Sequence, residues 1–242
     1  GKSVTALSIM GLVASPPGKI TGGSVYYRGE ELVGAPYELL RSLRGRKVAY
    51  IFQDPLATLH PLFAVGDQIV ESIRLGAANA GIRVSRRTAN ERAREVLEAV
   101  EIRDPDRVMG LYPHEVSGGM GQRAMIAISF VRRPDLLIAD EITSALDVTV
   151  RARVLDVLDG IIGDRAMGLI FISHDLPLVA RFCDRVLVMY AGRVVEEIAA
   201  RDLSQARHPY TQGLLRCIPR IDGPQAPLPV LEREAAWAGG TP

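Results

Sequence analysis

With 242 residues, 48% hydrophobic and 24% charged, the chain has the size and balance of a globular protein with a sizeable core, as one large domain or two small ones. Its formal net charge of +1 gives no general pull towards nucleic acid or anionic lipid. No run of about 18 apolar residues offers a bilayer span, so a membrane role must come through a partner, and Cys183 and Cys217 match no zinc spacing and read as reduced thiols.

In chain order, Gly1-Lys2-Ser3 opens a helical stretch to Met10, with Val4, Leu7 and Ile9 apolar and no breaker before Gly11. After a Pro/Gly segment from Ser15 to Gly23, Ser24 to Leu32 reads as a hairpin turning at Gly29, and Lys47 to Phe52 as a short apolar strand. From Asp54 to about Arg133 the pattern is mostly helical. Its clearest piece is Arg86 to Ile102, where Ala89, Ala93, Val96, Leu97 and Val100 form one stripe. Beyond Pro134 the period changes: Asp135-Leu136-Leu137-Ile138-Ala139-Asp140 is a continuous apolar run of the kind buried on both faces of a parallel sheet. A helix is expected near Val148 to Ile162, a second buried strand over Gly168 to Ser173, and a helix near Leu176 to Cys183. Val186 to Tyr190 and Val194 to Ile198 form a hairpin about Ala191-Gly192. The proline-bearing tail after about Ala200 reads as an appendage, extended or disordered towards its end. Strand and helix alternate at both ends around a helical insert, which predicts an α/β core with a helical subdomain.

Four segments carry chemistry. Gly1-Lys2-Ser3 at a helix start is the second half of a phosphate-binding loop, in which the lysine reaches the β- and γ-phosphates and the serine hydroxyl binds Mg²⁺. Alone it is a weak signal. Asp140 and Glu141 follow an apolar strand, where open α/β sheets bind ligands. Asp140 suits a Mg²⁺ shell and Glu141 a general base, although capping of the next helix explains the pair equally well. His174 follows the next strand and can contact a γ-phosphate. A lone histidine there is more often a cap or a buried, hydrogen-bonded ring. In Ser117-Gly118-Gly119-Met120 an N-cap serine and two glycines precede a helix, whose N–H groups and dipole make an anion site or simply an ordinary capped helix.

Taken together, Gly1-Lys2-Ser3, Gln53, Ser117-Gly118-Gly119-Met120, Asp140-Glu141, Ser144-Ala145-Leu146-Asp147 and His174 come in the order of the ABC ATPase family. They resemble its Walker A end, Q-loop, signature motif, Walker B, D-loop and H-loop, and the resemblance runs to about residue 220. It implies a phosphate-loop NTPase (RecA-like) core with a small antiparallel β part and a helical ABC subdomain. The expected divisions are 1–53 and 134–200 for the ATPase core, 54–133 for the signature-bearing subdomain and 201–242 for a C-terminal extension. The resemblance implies ATP and Mg²⁺ as cofactors, with Gly1, Lys2 and Ser3 on the phosphates, and Ser3, Gln53 and Asp140 around the metal. Glu141, His174 and Gln53 are the catalytic set. Two such domains would pair head to tail, so that Ser117, Gly118, Gly119 and Met120 act on the partner's ATP and Asp147 communicates across the interface.

A closer subfamily is visible in Tyr50-Ile51-Phe52-Gln53-Asp54-Pro55, Val65-Gly66-Asp67-Gln68-Ile69, Tyr112-Pro113-His114-Glu115, Met120 and His208-Pro209-Tyr210-Thr211-Gln212-Gly213. These look like the ATPases of dipeptide, oligopeptide and nickel importers. The implied partners are a second, different ATPase subunit, two transmembrane permease subunits and, indirectly, a solute-binding protein, with no nucleic acid. The implied place is the cytoplasmic face of the inner membrane, peripherally attached. Peptide is the first expectation for the solute, with nickel or another small solute behind it.

Several departures stand out. The family's first strand, adenine-stacking aromatic and front of the phosphate loop would precede Gly1, so the chain is expected to be a piece that starts inside Walker A and binds ATP weakly. Ile142 stands where the family usually has proline, which is expected to loosen the turn. Val116 replaces the usual leucine and Gly121 a common arginine. A non-catalytic, truncated subunit is the main rival, against which the retained Glu141 and His174 argue. DNA-repair or translation ATPases of the family carry coiled coils or a second cassette that this chain lacks.

Overall fold

The computed structural model describes residues 1–54, 58–143, 148–163, 167–218 and 237. The chain divides into two compact units, Ile9–Ile172 and Gly1–Ser8 with Ser173–Pro242. Helix α1 (Lys2–Ile9) opens the chain, as its unbroken apolar spacing predicts.

The 9–172 unit starts with a short hairpin of β1 (Tyr26–Tyr27) and β2 (Glu30–Glu31). Its two-residue turn has φ of 50° at Arg28 and 89° at Gly29, the left-handed pair that matches hairpin twist. Helix α2 (Tyr37–Leu43) follows. Next comes β3 (Val48–Ile51), and the sheet is completed later by β4 (Leu136–Asp140) and β5 (Gly168–Ile172), all parallel, with β4 in the middle. Leu137, Ile138 and Ala139 are 0% exposed. Burying each of the larger two stabilises by about 1.5–3 kcal/mol, so the run without polar alternation takes the central position. Strand β5 departs from expectation. Only Ile172 is buried, and Leu169 to Phe171 are half-buried, because among the described residues β5 has one strand neighbour and forms the sheet edge.

Between β3 and β4 the chain is helical, as its period predicts: α3 (Val65–Asn79), α4 (Arg86–Ala99), α5 (Pro105–Gly110) and α6 (Gly118–Phe130). Ser85 caps α4 by accepting from Thr88 N, and Ala89, Ala93 and Leu97 form its buried stripe. Gly66 has a packing reason. A Cβ there would lie 2.6 Å from Met109 Cβ, so only glycine lets α3 and α5 approach this closely. Gln68 pins the preceding loop: its Nε2 donates to the carbonyls of His60 and Phe63, and its Oε1 accepts from His60 N. Helix α6 packs on β3 and is buried along most of its length, including Gln122, Met125, Ile126 and Phe130. Helix α7 (Val148–Gly163) lies between β4 and β5 in sequence, the helical crossover that two parallel neighbouring strands require.

The other unit contains α8 (Leu176–Phe182), capped by Asp175, and the antiparallel pair β6 (Arg185–Tyr190) and β7 (Arg193–Ala199). Ala191 (φ 45°) and Gly192 (φ 82°) make the predicted tight turn. The first part of the tail is helical, while its end, expected to be extended or disordered, lies outside the described residues apart from Trp237. Ala200–Gln205 is a 3₁₀ helix and Pro209–Arg216 is helix α9. The His208 ring starts α9, with Nδ1 accepting from Tyr210 N at 3.1 Å. Glu196 Oε1 accepts from the N–H groups of Arg207 and His208 at 2.6 and 3.2 Å, tying the helix start to β7. Tyr210 stacks on Tyr190 with centroids 4.7 Å apart, and Trp237, 9% exposed, closes the cluster at 5.8 Å from Tyr210. The His-Pro-Tyr segment therefore has a structural job: it fastens the tail to the β6–β7 hairpin.

Candidate active site

The two acids at the carboxyl end of β4 are held from β3. Tyr50 pairs with Ile138 in the parallel register, so Tyr50 and Asp140 share a face two residues apart along the strand. The Tyr50 hydroxyl donates to Asp140 Oδ2 at 2.8 Å. Asp140 is 5% exposed. Burial first, and the Asp140 carboxylate second, push the Tyr50 phenol well above the ordinary tyrosine range, so it stays a donor. Past the end of β3, Gln53 Nε2 donates to Glu141 Oε2 at 3.1 Å, bringing together two residues that the sequence nominated separately.

Glu141 itself sits at φ 48°, in the left-handed region that a glutamate adopts only at a cost. Its N–H donates to Ile172 O at 2.9 Å, which extends the β4–β5 ladder by one residue while the chain turns away. Strain of this kind concentrates at sites where a side chain must be presented in a fixed direction. Ile142 is 1% exposed and Thr143 5%, so both side chains after Glu141 lie in the core. Ser144 to Asp147, the D-loop resemblance, lies outside the described residues.

The signature segment also belongs to the 9–172 unit. Ser117 caps α6, its hydroxyl accepting from Met120 N at 3.3 Å. A Cβ on Gly118 would meet nothing within 4 Å among the described residues, so the helix start is uncrowded there. Ser117 and Gly118 are exposed, and Gly119 and Met120 half-exposed. The Tyr112-Pro113-His114-Glu115 turn sets the approach: Glu115 Oε2 accepts from Tyr112 N at 2.8 Å, and the Tyr112 and His114 rings stack. Arg123, one turn into α6, donates to Gly119 O at 3.3 Å and Glu101 O at 3.0 Å.

In the other unit, Gly1, Lys2 and Ser3 start α1, and Lys2 Nζ donates to Ser173 O at 3.2 Å. Ser173 precedes His174, so the lysine of the phosphate-loop resemblance meets the H-loop segment. His174 is exposed, between β5 and the Asp175 cap of α8. Asp175 N donates to Ser173 Oγ at 3.0 Å, which fixes the turn that carries His174. Sequence reasoning missed Tyr50. The available signal was a hydroxyl-bearing aromatic one position short of the end of β3 beside a buried carboxylate, and it needed the strand register to be read.

A parallel α/β sheet with acids at the carboxyl end of its central strand and a capped, glycine-opened helix start is an arrangement in which α/β folds bind ligands. Solved ABC cassettes share this fold. One dimeric bacterial ABC transporter cassette is 26% identical with a TM-score of 0.68, matching 82% of this chain and 81% of its own. A dimeric ATP-binding cassette in a post-hydrolysis state, bound to ADP and Pi, superposes with a TM-score of 0.70 at 24% identity over 82% of this chain and 81% of its own. The family described as ABC transporter matches residues 1–144, and this chain belongs to it.

Relatives narrow the likeness. The Sinorhizobium fredii protein named "probable peptide ABC transporter ATP-binding protein" is 46% identical over 95% of this chain and 68% of its own length. The dipeptide transport ATP-binding protein of Haemophilus influenzae is 43% identical over 91% of this chain and 66% of its own. The oligopeptide transport ATP-binding protein of Mycobacterium tuberculosis is 46% identical over 93% of this chain. This chain spans 36% of that last relative and about two thirds of the other two. No helix among the described residues is long and apolar enough to cross a membrane.

Proposed function

We propose that the chain is the ATP-binding and hydrolysing part of an ABC importer that powers uptake of dipeptides or oligopeptides through partner membrane subunits. The observation that carries this reading is the pair Asp140 and Glu141 at the end of the central strand, each gripped by a neutral donor from β3 and its extension. The peptide-transport names of the relatives support the solute class.

Asp140 suits Mg²⁺, which takes few protein carboxylates and completes its shell with phosphate oxygens and water. A buried hard-oxygen donor at a strand end matches that demand, and Ser3 and Gln53 are assigned to the same shell. Bound Mg²⁺ supplies charge neutralisation on the β- and γ-phosphates. Glu141 accepts a proton from the attacking water, and its fixed backbone directs the carboxylate. Gln53, hydrogen-bonded to Glu141, orients that carboxylate and senses the metal. Lys2 and the N–H groups of Gly1 to Ser3 hold phosphate, and His174 positions the water. Ser117 to Met120 present the exposed, Ser117-capped helix start and an uncrowded Gly118 to the nucleotide of a second ATPase subunit, with Asp147 relaying across that interface. A different but paired ATPase is the partner, two permease subunits lie above, and the complex sits on the cytoplasmic side of the inner membrane. On this reading 1–53 and 134–200 form the ATPase core, 54–133 the helical subdomain and 201–242 the importer-type extension.

Mg²⁺-dependent ATP hydrolysis by the full-length protein with its partner subunits tests the reading. Turnover that collapses in Glu141→Gln while ATP-bound dimers accumulate supports it. Turnover unaffected by Glu141→Gln overturns Glu141 as base.

A further inference from the structure

Asp140 needs more than burial to serve a metal. A carboxylate rotates about its last bond, and a partly buried one that is free to rotate presents its oxygens to a cation only part of the time. Tyr50 removes that freedom. Two residues along a strand span roughly 6.6 Å, close to the reach of a tyrosine side chain, so the hydroxyl arrives at Asp140 Oδ2 from its own position opposite Ile138. The Tyr50 ring is in turn braced by Phe52, with centroids 4.4 Å apart and planes 30° apart. Ring, hydroxyl and carboxylate form one supported chain from β3 to the end of β4.

The chemistry of the donor is suited to the job. A lysine or arginine in the same place would orient the carboxylate equally well but would repel Mg²⁺ and weaken it as a ligand. A phenol donates one hydrogen bond and adds no charge. We propose that Tyr50 is a positioning residue for the metal-binding carboxylate: its hydroxyl engages Oδ2 of Asp140 and helps hold the carboxylate in one orientation for Mg²⁺. This rests on the assignment of Asp140 to the Mg²⁺ shell.

Partners that orient metal ligands typically contribute about 10–100-fold in metal affinity or activity. The test is Tyr50→Phe, which keeps the ring and its contact with Phe52 and removes only the hydroxyl. In the full-length protein, in a Glu141→Gln background that halts turnover, Mn²⁺ binding to the ATP-loaded form is followed by electron paramagnetic resonance. Asp140→Asn is run beside it. We expect Tyr50→Phe to weaken Mn²⁺ by about 10-fold or more, with ATP affinity in EDTA unchanged. With Glu141 intact, the Mg²⁺ concentration for half-maximal turnover rises similarly, and excess Mg²⁺ restores the rate. Mn²⁺ affinity that is unchanged in Tyr50→Phe but lost in Asp140→Asn overturns the proposal and leaves Asp140 as ligand. Mn²⁺ affinity that is unchanged in Asp140→Asn overturns the ligand assignment, and the proposal falls with it. A turnover defect in Tyr50→Phe that excess Mg²⁺ does not restore also overturns it, because a merely destabilised chain behaves that way.

Discussion

The two ends of strand β4 carry the same kind of residue and use it differently. At the amino end Asp135 Oδ2 accepts from the Tyr27 hydroxyl at 2.7 Å and pairs with Arg28 at 2.8 Å and Lys47 at 3.4 Å. At the carboxyl end Asp140 also accepts from a tyrosine, but Tyr50 and Gln53 orient their acids without adding positive charge. The first arrangement neutralises a carboxylate and ties the β1–β2 hairpin to the sheet. The second holds two carboxylates through neutral donors from β3 and its extension, an arrangement that suits groups presented to a cation and an attacking water. Residue type alone does not separate the two ends; the donors seen on them differ, cations beside a tyrosine at Asp135 and neutral groups from β3 and its extension at Asp140 and Glu141.

Removing one acid at each end puts the largest number on this contrast. Glu141→Gln should lower ATP turnover by about 10²–10⁴-fold, the usual worth of a general base. Asp135→Asn should leave turnover within about twofold of the parent, since the Asp135 cluster touches no group assigned to nucleotide. Comparable losses from the two variants would break the comparison, because the amino end would then be shaping the catalytic end. Steady-state rates at saturating ATP and Mg²⁺ decide between them.

The same contrast explains which parts of the molecule were legible in the sequence. The β4 run, the α4 stripe, the Ser117 cap and the two hairpin turns depend on neighbours within a few residues, so pattern and turn chemistry reach them. The acids at the end of β4 were legible as candidates for the same reason. Tyr50 was not, because its partner lies 90 positions away and meets it only through the parallel register. Helix α9 was not legible because it is started by a histidine ring nitrogen, outside the usual set of cap residues, with Glu196 of β7 completing the start. The burial of Ile142 was not legible either, because it comes from the surrounding core and not from its neighbours in the chain. Local rules read local causes, and the site is assembled from distant ones.

A third segment extends the comparison with a smaller effect. Ser117 both caps α6 and faces the space assigned to a partner's nucleotide. Ser117→Ala should cost about 1 kcal/mol of stability through loss of the cap. Ser117→Asp should keep the cap and the stability, yet place a negative charge where phosphate is expected and abolish ATP-driven dimerisation. Melting curves and ATP-dependent sedimentation separate the two roles. An aspartate variant that dimerises normally would remove Ser117 from the nucleotide interface. At the neighbouring strained position, Glu141→Gly should raise the unfolding free energy by about 1 kcal/mol, because glycine adopts φ 48° without the clash a side chain meets. A loss of stability there would mean that the Gln53 bond and other contacts of Glu141 outweigh its backbone strain.

The smallest expected effect concerns Asp135 and pH. The Tyr27 hydrogen bond, ahead of Lys47 and Arg28, holds this carboxyl below the usual aspartate range against the opposing pull of partial burial. A folded pKa below the unfolded one means that the stabilisation is present in full above the ordinary aspartate value of about 4 and is lost as pH falls through the folded value. The partners are well exposed, with Arg28 70% and Lys47 40% accessible, so water and salt screen the cluster and its worth is at most about 1 kcal/mol. Asp135→Asn should therefore be slightly less stable than the parent at pH 7, and the gap should close on acidification below about pH 4. Denaturant melts across that range measure it. A gap that stays constant into acid would mean that Asp135 acts through hydrogen bonds that asparagine loses regardless of charge, and the amino end of β4 would then owe its order to Tyr27 more than to its two cations.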